Sequence, residues 1–226
     1  MTTGSESNSN INLFSLLIGW LLGIASSLLV ELIKQQLSKR SIKTGIKNEL
    51  KELQMQLVGV CFYITYKQKS LSKDFVTWIR PYYNLFLNSE FKDIFGVKNI
   101  NEPLGSQKLS DNEFLDQLNI ARSKTPEPIF KSTLTFPKII SPYIDSKMSS
   151  LSFFRQEFQI LLSKFRREIH VLNNDIEQTW FYHAKTFENL SGENHEVVHH
   201  NLSQIYSRIA ERTRYVIKLI DKIQEC

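Results

Sequence analysis

One uninterrupted apolar run near the start of the sequence restricts every fold that the chain can adopt. The twenty residues from Ile11 to Val30, INLFSLLIGWLLGIASSLLV, include no charged side chain. A helix of that length spans about 30 Å, which matches the hydrocarbon core of a bilayer. The run therefore predicts one transmembrane helix at residues 11–33, after a polar N-terminal tail at residues 1–10.

The flanks of this run favour a membrane span over a cleavable signal peptide. A signal peptide has a basic leader, whereas MTTGSESNSN contains no Lys or Arg, although Ala25 to Ser27 loosely imitate a cleavage site. Basic residues all follow the run: Lys34, Lys39, Arg40, Lys43, Lys47 and Lys51. By the positive-inside rule, we expect a single-pass membrane protein with its N-terminus outside and its C-terminus in the cytosol.

The predicted cytosolic location affects how the sequons, the cysteines and the basic stretch are interpreted. The sequons Asn189-Leu-Ser191 and Asn201-Leu-Ser203 become chance matches, because the cytosol lacks the glycosylating enzyme. The two cysteines, Cys61 and Cys226, cannot form a disulfide framework and fit a reducing compartment. The basic stretch after the span either sets topology alone or also binds anionic lipid headgroups.

Small residues recur along one face of the predicted span. Ser15, Gly19, Gly23 and Ser27 are each four positions apart, and Glu31 continues the series. Such a ridge lets a second helix approach closely, which favours self-association or pairing with a protein partner. The alternative is that glycine and serine are simply common in spanning helices.

Residues 34–226 are predicted to form a helical cytosolic domain, which makes the chain all-α. Residues 34–71 are interpreted as a basic juxtamembrane helix with heptad spacing. Its apolar positions alternate spacings of four and three: Ile46, Leu50, Leu53, Leu57, Val60 and Ile64. The β-branched and aromatic run at 58–66 leaves a strand as an alternative, with 130–136 as its one candidate partner.

The middle of the chain, residues 72–141, is predicted to hold short helices and loops, because Pro and Gly interrupt it from Pro81 to Pro137. Ser110 and Glu113 form a capping box that predicts a helix start. Several aromatic residues in this part are interpreted as core, with a ligand groove as the alternative: Trp78, Tyr82, Tyr83, Phe86, Phe91 and Phe95.

Residues 142–226 are predicted to form a long antiparallel helix hairpin that starts at Ser141-Pro142 and turns at 190–194. The first apolar stripe comprises Phe158, Leu162, Phe165, Ile169, Leu172 and Ile176, extending to His183, Phe187 and Leu190. The second comprises Val198, Leu202, Ile205, Ile209, Val216, Leu219 and Ile223. The arginines and lysines between these stripes are interpreted as solvated and locally paired with Glu211 and Asp221.

The only catalytic motif is His195-Glu196-Val197-Val198-His199, which resembles the H-E-x-x-H of zincin metallopeptidases in five residues. The resemblance implies that both histidines bind zinc while Glu196 acts as general base. The longer metzincin pattern fails, because Leu202 and Ile205 replace its glycine and third histidine. A simpler alternative is a metal site formed by His183, His195 and His199 across the hairpin.

The net charge of +5 is modest and concentrated beside the membrane, and no base-reading motif accompanies it, so no nucleic-acid partner is expected. The leading hypothesis is a non-enzymatic membrane-anchored protein without a cofactor, whose bundle self-associates or binds a protein. The alternative is a zinc-dependent peptidase.

Overall fold

A computed structural model describes residues 6–68, 70–87, 110–123, 135–188 and 191–226. Within these ranges the regular structure is entirely helical, which confirms the all-α fold class. The helices are α1 (Glu6–Lys67), α2 (Lys73–Leu87), α3 (Asp111–Ser123), α4 (Pro142–Ser146), a 3₁₀ helix (Met148–Phe153), α5 (Gln156–Lys185) and α6 (Gly192–Glu225). The strand alternative at 58–66 is wrong, because these residues belong to α1. Most of its candidate partner, 130–136, lies outside the described residues.

The chain divides into two compact units, Met1–Ile46 and Lys47–Cys226. The first unit contains the N-terminal part of α1, which begins at Glu6, so the described part of the predicted polar tail is already helical. This helix is long and apolar enough to cross a membrane, and a signal sequence would pass the same test.

The hairpin of α5 and α6 forms most of the core of the second unit. Phe165 and Ile176 of α5 and Ile209 and Val216 of α6 are fully buried. Glu168 pairs with Arg212, whereas Gln178, further along α5, accepts a hydrogen bond from the earlier residue Arg208. The order of these pairs reverses along the chain, so the two helices are antiparallel as predicted.

The part of α1 that begins at Lys47 packs along α6, also antiparallel. Its Gln54 amide donates to Asp221, and the amide of Gln68, directly after the end of α1, donates to the carbonyl oxygen of Ser203 at 3.0 Å. The heptad positions of this part are buried as predicted: Leu50, Leu53, Leu57, Val60 and Ile64. An apolar stripe of this kind buries one helix face against its neighbours.

The hairpin itself starts later than the sequence predicted. Helix α4 begins at Pro142 as expected, but it ends at Ser146, and α5 begins only at Gln156. The intervening Met148–Phe153 contains three serines, whose hydroxyls compete for backbone groups and disfavour a continuous α-helix. The first apolar stripe also stops early, because α5 ends at Lys185 and Phe187 is exposed. Leu190 lies outside the described residues.

Side chains from two long helices hold residues 135–146 in place. Asn173 of α5 exchanges two hydrogen bonds with the backbone of Ile139, both of 2.8 Å. The Glu49 carboxylate of α1 accepts from the backbone N–H groups of Tyr143 and Ile144 at 2.8 and 2.7 Å. These two donors belong to the first turn of α4, so a remote carboxylate caps this short helix.

Helices α2 and α3 pack together beside α1. The capping box is confirmed, because the Ser110 N–H donates to Glu113 at 2.7 Å and the Glu113 N–H donates back to the Ser110 hydroxyl. Val76 of α2 and Phe114 of α3 are buried in one cluster. Pro81 does not end α2, which continues to Leu87.

Candidate functional site

The most distinctive surface of the molecule is the N-terminal part of α1. From Ser15 to Leu37 every residue is exposed, and the apolar side chains among them include Leu16, which is 73% exposed, and Trp20, which is 64% exposed. The helix bonds its own backbone groups, as a helix in hydrocarbon must. An apolar surface of this extent marks a membrane or protein contact in native proteins.

The predicted small-residue ridge lies on this exposed part of α1. A Cβ added at Gly19 or Gly23 would meet no atom within 4 Å. The Ser27 hydroxyl donates to the carbonyl oxygen of Ile24 at 2.8 Å, so it is already bonded within its own helix. All four residues of the ridge are exposed to solvent. The ridge therefore presents a shallow surface on which a second helix could pack without leaving a hydroxyl unbonded.

The histidines of the H-E-x-x-H motif lie in the first turns of α6. The rings of His195 and His199 are neighbours, with centroids 5.1 Å apart. His183 of α5 instead packs edge-on against Phe187 at 5.1 Å, and burial lowers the pKa of its imidazole. Glu196 is exposed.

Over the described part of the chain, no three His, Cys, Asp or Glu side chains are grouped so that they could hold a metal ion. The helical placement of His195 and His199 fits the zincin pattern, but no third ligand joins them among the residues that the structure describes. The zinc hypothesis and the general-base role of Glu196 thus gain no support from the geometry.

Two buried carboxylates and two partly exposed arginines form a cluster between α5 and α6, where the sequence predicted solvated charges. Glu168 and Asp175 are 8% and 7% exposed. The Arg212 guanidinium reaches both, at 3.0 and 3.2 Å, and Arg208 lies 3.4 Å from Asp175. The interpretation of Arg212 as a solvated, locally paired charge is therefore wrong, because its partners lie on α5. A clue was present in the sequence, since Glu168 and Asp175 are seven residues apart beside the apolar stripe.

Arg214 of α6 is also not a solvated charge. Its guanidinium stacks over the rings of Phe75 and Trp78, at 4.7 and 5.4 Å from their centroids. The aromatic side chains of Trp78 and Tyr82 contact each other, with centroids 5.9 Å apart, and both are partly exposed. The side chains of Tyr83 and Phe86, and the whole of Phe91 and Phe95, lie outside the described residues.

Cys61 lies behind this aromatic and arginine contact and is fully buried. Its thiol donates to the carbonyl oxygen of Ala210 at 3.6 Å. Burial raises the pKa of the thiol, although Arg214 and Thr65 oppose this effect. Because a thiolate and not a thiol is the nucleophile, this environment disfavours reactive cysteine chemistry.

Comparisons of the chain with known protein families, with curated proteins and with solved structures find no match.

Proposed function

We propose that this chain is a non-enzymatic, single-pass membrane protein whose helical domain faces the cytosol and serves self-association or the binding of a protein partner. The observation that carries the proposal is the continuous exposure of apolar side chains from Leu16 to Leu37. Transferring such a surface from water into lipid is favourable by about 25 cal/mol for each Å². A bilayer is the environment that removes all sides of one helix from water.

The cytosolic orientation is supported by the distribution of charge. Lys34, Lys39, Arg40 and Lys43 follow the span directly, whereas no Lys or Arg precedes it. Retention of basic residues on the cytosolic side determines the orientation of most single spans.

Self-association is proposed to use the ridge of Ser15, Gly19, Gly23 and Ser27. In lipid, two helices gain affinity mainly from close backbone packing, because the surrounding chains are as apolar as leucine. The open space over Gly19 and Gly23 supports such an approach.

Membrane integration and orientation are tested together by translating the full chain in the presence of microsomes. We expect the protein to resist extraction at alkaline pH and to keep its full mass. The natural sequons at Asn189 and Asn201 should remain unglycosylated, while a sequon added before Ile11 should be modified. A decrease in mass that corresponds to the first thirty or so residues would identify a cleaved signal peptide instead. Glycosylation at Asn201 would show that the orientation is opposite to the one proposed.

Self-association is tested by crosslinking the full chain in membranes. Gly23→Ile places a branched side chain on the ridge and should reduce crosslinked dimer about tenfold, which corresponds to about 1.4 kcal/mol. Ala25→Ile is the matched control, because two residues along a helix turn the new side chain by about 200°, to the opposite face. Equal dimer in both variants would exclude the ridge as the interface.

A further inference from the structure

The turn that leads into α5 exposes an aromatic side chain between two cations. We define the Lys147–Arg155 turn as Lys147, the 3₁₀ helix Met148–Phe153, Phe154 and Arg155. Leu151 is buried, and the Phe154 ring packs on Phe158 with centroids 5.2 Å apart. These two side chains fix the turn to the bundle. Phe153, in contrast, is 57% exposed.

The charge of the turn is entirely positive. Between Ser146 and Gln156 it contains Lys147 and Arg155 and no acidic residue. Arg155 is exposed, and the Lys147 ammonium lies over the ring of Tyr143, 5.7 Å from its centroid. An exposed aromatic ring flanked by cations suits the interface of an anionic bilayer, where the ring enters the headgroup region and the cations meet phosphates.

The turn also lies at the end of the bundle where the second unit begins. The Lys47 ammonium donates to the carbonyl oxygen of Gln224 at 2.6 Å, and Glu49 caps α4 directly before the turn. Thirteen residues, 34–46, separate the predicted span from Lys47. A tether of this length raises the effective concentration of bilayer around the second unit.

We propose that the Lys147–Arg155 turn is a second membrane contact, in which Phe153 enters the interfacial region while Lys147 and Arg155 bind anionic lipid headgroups. The inference rests on the proposed anchor, which supplies the nearby bilayer. The cytosolic domain would then bind the bilayer in a lipid-dependent manner, in addition to its permanent attachment through α1.

The test uses the full chain reconstituted in vesicles of phosphatidylcholine, with or without phosphatidylserine. In a Cys61→Ala, Cys226→Ser background, a fluorophore is attached at Ser152→Cys, and its quenching by spin-labelled lipid is measured. Ser191→Cys is the matched control, because it is also an exposed serine but precedes α6, beyond the other end of α5. We expect at least threefold stronger quenching at residue 152 than at residue 191 when phosphatidylserine is present.

Substitutions then assign the contact to the named side chains. Phe153→Ser and the pair Lys147→Gln, Arg155→Gln should each reduce quenching at residue 152 at least twofold. Phe181→Ser is the control, because Phe181 is 58% exposed and so matches Phe153 in exposure, and it should leave the quenching at residue 152 unchanged. Equal quenching at residues 152 and 191 overturns the inference. Quenching at residue 152 that is the same with and without phosphatidylserine, and the same in wild type and in these variants, also overturns it.

A probe at Leu22→Cys separates this inference from the anchor on which it rests. Quenching at residue 22 with none at residue 152 rejects the turn alone. Quenching at residue 152 with none at residue 22 supports the turn and rejects the anchor, and the absence of both rejects the two proposals together.

Discussion

The two parts of α1 use apolar residues in opposite ways. From Ser15 to Ile33, apolar side chains lie on all sides of the helix, and every residue is exposed. After Lys47, the heptad positions are buried, whereas Lys51 and Glu52 face solvent. A helix with one apolar stripe can bury that stripe against a protein core, whereas a helix that is apolar on all sides needs an apolar environment on all sides, such as lipid. The pattern around the helix, more than its total hydrophobicity, distinguishes the two environments.

The largest effect that separates the two parts should come from the same substitution made in each. Leu57→Ala opens a cavity at a fully buried position and should lower the free energy of unfolding of the bundle by about 2–5 kcal/mol. Leu22→Ala, at a position that is 62% exposed, should leave it unchanged. Urea unfolding of the full chain in detergent, followed by circular dichroism, measures both. Equal losses would contradict the division of α1 into two environments.

A charge should be tolerated in one part and excluded from the other. Leu22→Arg places a guanidinium at the centre of the proposed span, where it should cost about 3 kcal/mol of insertion free energy. We expect the membrane-integrated fraction to fall sharply after alkaline extraction, while the bundle keeps its unfolding midpoint. Leu22→Ala serves as the control that shortens the same side chain without charge. Full integration of the Leu22→Arg protein would argue against a spanning helix.

The bundle, in contrast, depends on a charge that it already contains. Arg212→Ala leaves Glu168 and Asp175 without their shared partner and should cost about 2 kcal/mol, because both carboxylates are buried. Arg208→Ala is the control, since its side chain is 49% exposed and such pairs contribute about 0.5 kcal/mol. Thermal unfolding of both variants gives the comparison. Similar losses in the two would show that Arg212 is only a surface ion pair.

The features that were predictable from sequence are those that depend on local spacing. The three apolar stripes and the capping box of Ser110 and Glu113 need only residues within one helix, so their periods are visible in the chain. The run at 58–66 is helical despite its β-branched residues, because α1 packs there against α6 and α2, and tertiary packing overrides propensity. Local propensity alone could not determine whether residues 58–66 form a helix or a strand.

The missed features depend on the register between distant segments. The pairing of Arg212 with Glu168 follows from how α5 and α6 are aligned, which local patterns do not specify. The cap that Glu49 gives to α4 joins residues that are 94 and 95 positions apart. The predicted convergence of His183 with His195 and His199 depended on the geometry of the hairpin turn, which sequence spacing does not determine.

The smallest expected effect concerns pH and again separates the two regions. Burial lowers the pKa of His183 below its ordinary value of 6.5, so the folded bundle binds this proton less tightly than the unfolded chain. Stability is therefore complete above pH 6.5 and decreases as the pH falls from that value through the lowered pKa. The proposed span has no titratable side chain between Glu6 and Glu31, so its membrane integration should not depend on pH.

We expect the unfolding temperature of the wild-type bundle to fall slightly more between pH 7.5 and pH 5.5 than that of His183→Gln, in which the titrating group is absent. The fraction that resists membrane extraction should be the same at both pH values. An identical decrease in both proteins would assign the pH dependence to another group. A pH-dependent membrane fraction would show that attachment relies on titratable side chains outside the span, in place of the apolar surface of α1.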